Sequence, residues 1–376
     1  MKSMRKKLAA TGLCFAITAG MLAGCGNANK AIVTLDGEKT NYAVASVMLR
    51  YNQAQMQSYY GAYMGDSMWD QYGETTKTNL MSTLKQMLIL EKHMAEYDVT
   101  VSDEEKQKIS DAAAAFIADN DKKTLKAMGA DQETVERVLT LYTIQTKMSE
   151  AMVADVDTEV SDEEAAQKTI QYVLFSTADT TDEDGNSVAL TDEEKAALLG
   201  QAEQLRDAAV GGTDMEEALS SIDDSKSVST ASYGDNDESY TLDEAIRTAA
   251  DALQDGEVAA DVIETDTGYY VVKMQSTFDE SATEQKKDEI VSQRKSDRFS
   301  ELYDAWEADV DYAEDSELLG KLDFTDTYQL ATEETETSAE TTAETAAITE
   351  ASDETAAETA GETAAETAEE TETAAE

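Results

Sequence analysis

The sequence predicts an α+β protein in which helices from both ends of the chain enclose a small inserted α+β module. Three observations predict it. Apolar residues recur at three- and four-residue intervals through most of the first 165 residues and again around residue 300. Between about 166 and 277 short apolar and aromatic runs, the mark of strands, alternate with helical stretches. From about residue 328 large apolar side chains almost vanish.

The start of the chain comes first. Lys2, Arg5, Lys6 and Lys7 form a basic opening, and Leu8 to Leu22 is an almost uncharged run of Leu, Ala, Ile and Met. Such a run is short for a permanent membrane helix and suits a signal peptide. It ends in Leu22-Ala23-Gly24-Cys25, which resembles the bacterial lipobox. The resemblance implies that residues 1–24 are removed and that Cys25 becomes a diacylglyceryl-modified first residue. The chain would then sit on the extracytoplasmic face of a bacterial cell membrane, touching it through the lipid anchor only. Two or three acyl chains, at about 0.8 kcal/mol per buried methylene, hold a protein where one would be marginal. An ordinary secretory peptide containing a cysteine is the plainer alternative.

The chain has two cysteines, and the other, Cys14, lies inside the expected leader. The mature chain therefore has no thiol for a disulfide or a metal, although its compartment is oxidising. It must fold on core burial, which 376 residues allow. The net charge of −51 divides into +4 from the leader, −15 from Glu333 to Glu376, and −40 from the 25 basic and 65 acidic residues of 26–332. A surface this negative repels nucleic acid and anionic headgroups, so neither is an expected partner.

After the lipid site, Ala31-Ile-Val-Thr-Leu predicts a strand entering an Asp-Gly turn at residues 36 and 37. A helix is expected from Asn41 to about Tyr60. A second runs from Thr75 to Tyr97 with Leu80, Leu84, Met87, Leu88 and Met94 on one face. Ser102 and Glu105 form a capping box for a third. Asp131 to Met152 is apolar on several faces and should be well buried. This N-terminal helical lobe spans 25–165. The module, 166–277, begins with the strand Thr169-Ile-Gln-Tyr-Val-Leu-Phe-Ser and a polar loop to Leu190. It continues with a helix from Thr191 to Val210, a helix from Leu242 to Leu253 and the strand Gly268-Tyr-Tyr-Val-Val-Lys-Met. Ser281 to Ala308 is a helix with Ile290, Phe299, Leu302 and Trp306 as its seam, returning within 278–327 to the N-terminal lobe. The Ala-Glu-Thr repeats of 328–376 cannot offset their ordering entropy and should form a disordered acidic tail, either a spacer or solubilising segment or one that meets the cell wall.

Most chemistry is excluded by composition. The single histidine, His93, is placed opposite the Leu80–Leu84–Met87 seam and should be exposed. No nucleophile elbow accompanies it. The usual zinc sites lack ligands, and no Walker loop or Gly-x-Gly-x-x-Gly is present. Asp179-Thr-Thr-Asp-Glu-Asp-Gly-Asn lacks the spacing and distal glutamate of an EF-hand and reads as a solvated loop. No metal and no cofactor are expected. Met48, Met56, Met64, Met68, Trp69 and the tyrosines from Tyr51 to Tyr72 could form an adaptable surface for unfolded chains, or ordinary lobe core.

Asp255-Gly-Glu-Val-Ala-Ala-Asp-Val-Ile-Glu-Thr-Asp-Thr-Gly-Tyr-Tyr-Val-Val-Lys resembles the closing segment of parvulin-type (rotamase) peptidyl-prolyl isomerase domains. Gly212-Thr-Asp-Met-Glu-Glu-Ala-Leu-Ser is similar to that family's Gly-x-Asp-Phe-x-x-Leu-Ala stretch, and Ile170-Gln-Tyr-Val-Leu-Phe to its first strand. With the lipobox, the helical lobe and the returning helix, the order of parts resembles the PrsA/SurA class of extracytoplasmic foldases. The resemblance implies a parvulin-like module within a helical chaperone lobe, acting on unfolded or newly exported polypeptides; a homodimer is compatible with it.

The departures bear on chemistry. The family's two histidines correspond to Tyr172 and Tyr270, its Met-x-x-x-Phe pair to Leu242 and Ile246, and its Gly-Gly-x-Leu-Gly loop is reduced to Ser232-Tyr-Gly-Asp. By resemblance, Tyr172 and Tyr270 are the candidate catalytic residues, and Leu242, Ile246, Tyr233 and Met215 the candidate substrate-binding ones. Prolyl rotation faces a barrier of about 18–20 kcal/mol and needs no covalent step. An apolar grip on the ring with hydrogen-bonding groups around the twisted amide suffices. The tyrosines could equally be cross-strand packing. Three functions stay open: a foldase with isomerase activity, a holdase of the same fold without it, and a passive binding or structural lipoprotein.

Overall fold

The computed structural model describes residues 15–18, 26–64, 68–181, 185, 187–237, 241–324 and 327–330. Cys25 and the expected tail from residue 331 onward lie outside them, as does part of the 179–186 loop. Among the described residues no helix is long and apolar enough to cross a membrane.

The architecture is α+β, as the periodicities predict. A short strand β1 (Phe15–Thr18) precedes the hairpin of β2 (Ala31–Leu35) and β3 (Glu38–Asn41). Asp36 (φ 48°) and Gly37 (φ 86°) make its turn, as an Asp-Gly pair favours. Helices α1 (Tyr42–Met64) and α2 (Met68–His93) follow, the latter ending in a 3₁₀ turn at Met94–Tyr97. Next come α3 (Asp103–Asp119), α4 (Lys122–Met128), α5 (Gln132–Met152) and the single turn α6 (Asp162–Ala165). Ser102 and Glu105 form the expected capping box, and Asp121 and Asp131 cap α4 and α5. Helix α5 buries one stripe (Val135, Val138, Leu141, Ile144, Met148, Met152) and leaves Tyr142 exposed, so it is an amphipathic surface helix rather than one buried all round.

The module holds β4 (Lys168–Ser176), a small hairpin β5 (Thr180–Thr181) and β6 (Ser187–Val188), and α7 (Asp192–Val210). It continues with α8 (Met215–Ile222), β7 (Ser229–Tyr233), α9 (Glu244–Asp251), β8 (Ile263–Thr265) and β9 (Gly268–Ser276). Its main sheet is antiparallel in the order β7-β4-β9-β8. Successive side chains of a strand point to opposite faces, so this sheet has two apolar sides. Val173, Phe175 and Val271 pack under α7 and α8 with Leu205 and Leu219. Ile170, Val272 and Met274 pack under α9 with Ile246 and Ala250.

Helix α10 (Glu280–Asp309) then returns to the lobe, followed by β10 (Tyr312–Glu314), α11 (Ser316–Leu319) and β11 (Thr327–Leu330). Phe299, Leu302, Tyr303 and Trp306 of α10 pack on Leu90, Ile144, Met148 and Met152. Strand β10 adds to β2, and Leu318, Leu322 and Tyr328 enter the main lobe core with Ile32, Leu49 and Leu84. The lobe is thus built from both chain ends. Cationic side chains of α10 strap the outgoing linker to it: Arg294 donates to the carbonyls of Asp157 and Glu159 and to Glu164, and Arg298 pairs with Asp155.

Two further expectations, at His93 and at residue 328, differ from what the fold shows. His93 is not exposed: its ring stacks on Trp306 at 4.1 Å and 6°, and Nδ1 lies 2.7 Å from Glu96. The returning helix covers a face that α2 alone shows as outward. The span expected as tail begins at residue 328, yet Tyr328 is fully buried and lies in β11.

Candidate functional site

Five of the six sequence-predicted site residues come together on the α9 face of the module sheet. Tyr172 lies opposite Val272 and Tyr270 opposite Leu174, so the two tyrosines are diagonal neighbours on β4 and β9. Their ring centroids are 5.9 Å apart at 41°. Tyr270 is mostly buried and its hydroxyl lies 2.9 Å from Thr267 Oγ1; Tyr172 is half-buried.

Leu242 and Ile246 roof the same cluster. Asp243 caps α9 by accepting from the Ala245 N–H at 2.7 Å, which leaves Leu242 just outside the helix, where the sequence placed its first turn. Both side chains face the sheet, 8 % and 1 % exposed. They pack above Ile170 and Val272, and the cluster is half open at Tyr172, Leu174 and Ile263 and again at Ala231 and Leu253. The Gly256-Glu-Val-Ala element runs along β9: the Gly256 N–H donates to Met274 O at 2.9 Å and Ala259 N–H to Val272 O at 2.9 Å.

Tyr233 anchors the far edge. Its hydroxyl donates to Asp251 Oδ1 at 2.8 Å, and Lys168 Nζ bridges Asp251 and Asp235 at 2.8 Å each. Burial, and then the bond to Asp251, push the Tyr233 hydroxyl well above the usual phenol range. Burial alone would raise Asp251, but Lys168 and Tyr233 donate to it and hold it below the usual carboxylate range. Tyr233 is therefore a neutral hydrogen-bond donor committed to Asp251, a structural post of the site. Nothing in the residue pattern of 168, 233 and 251 announced this cluster; strand pairing of Lys168 with Tyr233 creates it.

Met215 is the exception. It is buried under the opposite face with Phe175, Leu205 and Leu219, because α8 covers the side of the sheet away from α9. It cannot touch a ligand bound beside Tyr172. A cleft of about 450 Å³ exists elsewhere, in the lobe between α2 and the β10–α11 segment. Its walls carry Glu74, Lys77, Lys85 and Glu314, charges that do not suit a proline ring. The methionine- and tyrosine-rich segment divides: Met48 and Met68 are core, whereas Tyr59 and Tyr60 are 73 % and 54 % exposed near the end of α1.

No protein-family model and no curated protein matches the chain. Among solved structures it is similar to the foldase PrsA of Lactococcus lactis, at 14% identity and a TM-score of 0.31 over 78% of this chain and 99% of that one. It is similar also to the peptidylprolyl isomerase PrsA of Bacillus cereus (17% identity, TM-score 0.29, 78% of this chain, 99% of that one). The Bacillus anthracis protein of the same name follows at 16% identity, TM-score 0.25, over 58% of this chain and 96% of that one. At TM-scores this low the likeness carries nothing about activity, which rests on this chain's own residues.

Proposed function

We propose that the chain is a lipid-anchored extracytoplasmic foldase whose α+β module engages Xaa-Pro segments of exported polypeptides on its α9 face. One observation supports this above the others: Tyr172, Tyr233, Leu242, Ile246 and Tyr270, spread over about a hundred residues, share one apolar cluster at the positions that the parvulin resemblance assigns to a proline site. In this reading the Tyr172 ring and the adjoining apolar rim hold the proline ring, and the Tyr172 hydroxyl donates to the carbonyl of the twisted amide. Burial of the ring costs nothing in hydrogen bonds, and the hydroxyl stabilises the state in which amide resonance is lost. Residues 1–24 act as the leader and Cys25 as the lipid site.

A second reading, a holdase of the same fold without catalysis, is favoured by a specific observation. Leu242 and Ile246 are packed closely onto the sheet, 8 % and 1 % exposed, which leaves little room for a ring between them and the strands. The two readings separate in the refolding of an unfolded protein whose slow phase is prolyl isomerisation. Catalysis predicts acceleration by the chain and its loss in Tyr172→Ala. Suppressed aggregation with an unchanged slow phase would establish the holdase, and no effect on either would leave the passive lipoprotein.

A further inference from the structure

Strand β11 poses a hydrogen-bond accounting problem. Its lobe side is fixed: Tyr328 is fully buried in the main core, with the Arg50 guanidinium 4.8 Å from its ring centre. The approach to it is pinned as well. Tyr42 Oη donates to Lys321 O at 2.9 Å, Arg50 donates to Asp323 O, and Phe324 stacks on Trp69 at 4.6 Å. Along its edge, however, β11 pairs only with β1 among the described residues, Phe15 opposite Leu330 and Thr18 opposite Thr327. That partner belongs to the segment assigned above to the leader.

We infer that removal of the leader leaves the β11 edge as a β-augmentation site for an extended apolar segment of an exported chain. The inference rests on the proposed function for the removal of residues 1–24. Unpaired strand amides and carbonyls beside a buried core are costly, and an added strand satisfies them through its backbone alone. Backbone pairing tolerates many sequences, which suits a protein meeting many clients. Phe-Ala-Ile-Thr, an uncharged segment seated between β11 and α4, shows the kind of occupant this edge takes. The site lies in the lobe, separate from the module face, so one client could be held at β11 while another part meets Tyr172.

The test uses the chain lacking residues 1–24, whose apolar clusters all lie from residue 32 onward. The probe is a synthetic peptide of residues 13–20 with Cys14→Ser, and the readout is amide hydrogen exchange at Thr327–Leu330. The alternate amides of this segment that face the β1 side should exchange quickly without peptide and slow by about 100-fold at 100 times Kd. Two further peptides carry an N-methyl group on Ala16 or on Ile17. Alternate residues of an antiparallel strand point their N–H groups to opposite sides, so one of the pair should lose binding and the other keep it. Equal behaviour of the two, or no protection at saturating peptide, overturns the inference. So does protection already present without peptide, whether concentration-independent (another segment of the chain) or concentration-dependent (a second copy). None of these outcomes touches the prolyl assay, so failure here is distinct from failure of the foldase reading.

Discussion

Replacement of Trp306 by alanine should detach the returning helix from the lobe. Trp306 is half-buried, stacked on His93 at 4.1 Å and edge-on to Tyr97 at 5.9 Å. A tryptophan removes roughly 150–250 Å² from water when buried, so the half-buried ring gives up about 100 Å². At about 25 cal/mol per Å² this is about 2.5 kcal/mol, to which the stacked pair adds about 1 kcal/mol. Urea unfolding followed by circular dichroism should therefore show Trp306→Ala less stable by about 3.5 kcal/mol. His93→Ala, which keeps the tryptophan's other contacts, should cost about 1 kcal/mol. The double mutant tests the geometry itself: rings in face-to-face contact should couple by about 0.5–1.5 kcal/mol. Strictly additive losses, or a Trp306→Ala effect below about 1 kcal/mol, would refute a lobe closed by α10 at this point.

Gly268→Ala should disrupt the module sheet. Gly268 has φ +143°, and a Cβ there would meet Phe175 O at 2.3 Å, so a loss of about 3 kcal/mol or more is expected; a variant with native protease resistance between residues 168 and 276 would contradict this. The Glu105 carboxylate, hydrogen-bonded by Lys147 and by Ser102, is held down at about 2. Its folded value lies below the unfolded one near 4.5, so its contribution is present above that pH and fades as pH falls from about 4.5 to about 2. The melting-temperature gap between the native chain and Lys147→Ala should close over that window; a gap that persists at pH 2 would show that the ion pair is not its cause.

Much of the architecture was legible because local rules and tertiary demands agree. The capping box of Ser102 and Glu105, the Asp36-Gly37 turn and the strand through Ile170–Phe175 each find in the fold the role their chemistry suggests. The errors fall where a partner remote in sequence decides. His93 looks outward on α2 until Trp306, more than two hundred residues later, covers it. Met215 occupies its family-like position in sequence, yet α8 lies on the opposite face of the sheet from α9. The Lys168–Asp251–Tyr233 cluster depends on strand register, which no short motif encodes. Gly73, unremarkable in α2, permits the close approach of Phe324, whose ring would lie 2.9 Å from a Cβ there.

In the proposed function the sheet face carrying Tyr172 and Tyr270 receives proline. Titration of the isotope-labelled chain with a short Xaa-Pro peptide, followed by NMR, tests it most directly. Shifts should centre on Tyr172, Leu174, Ile263 and Tyr270 and leave Met215, Phe175 and Leu219 under the opposite face unmoved. Shifts confined to the α7–α8 face or to the lobe, or none at millimolar peptide, would mean that proline does not bind on this face.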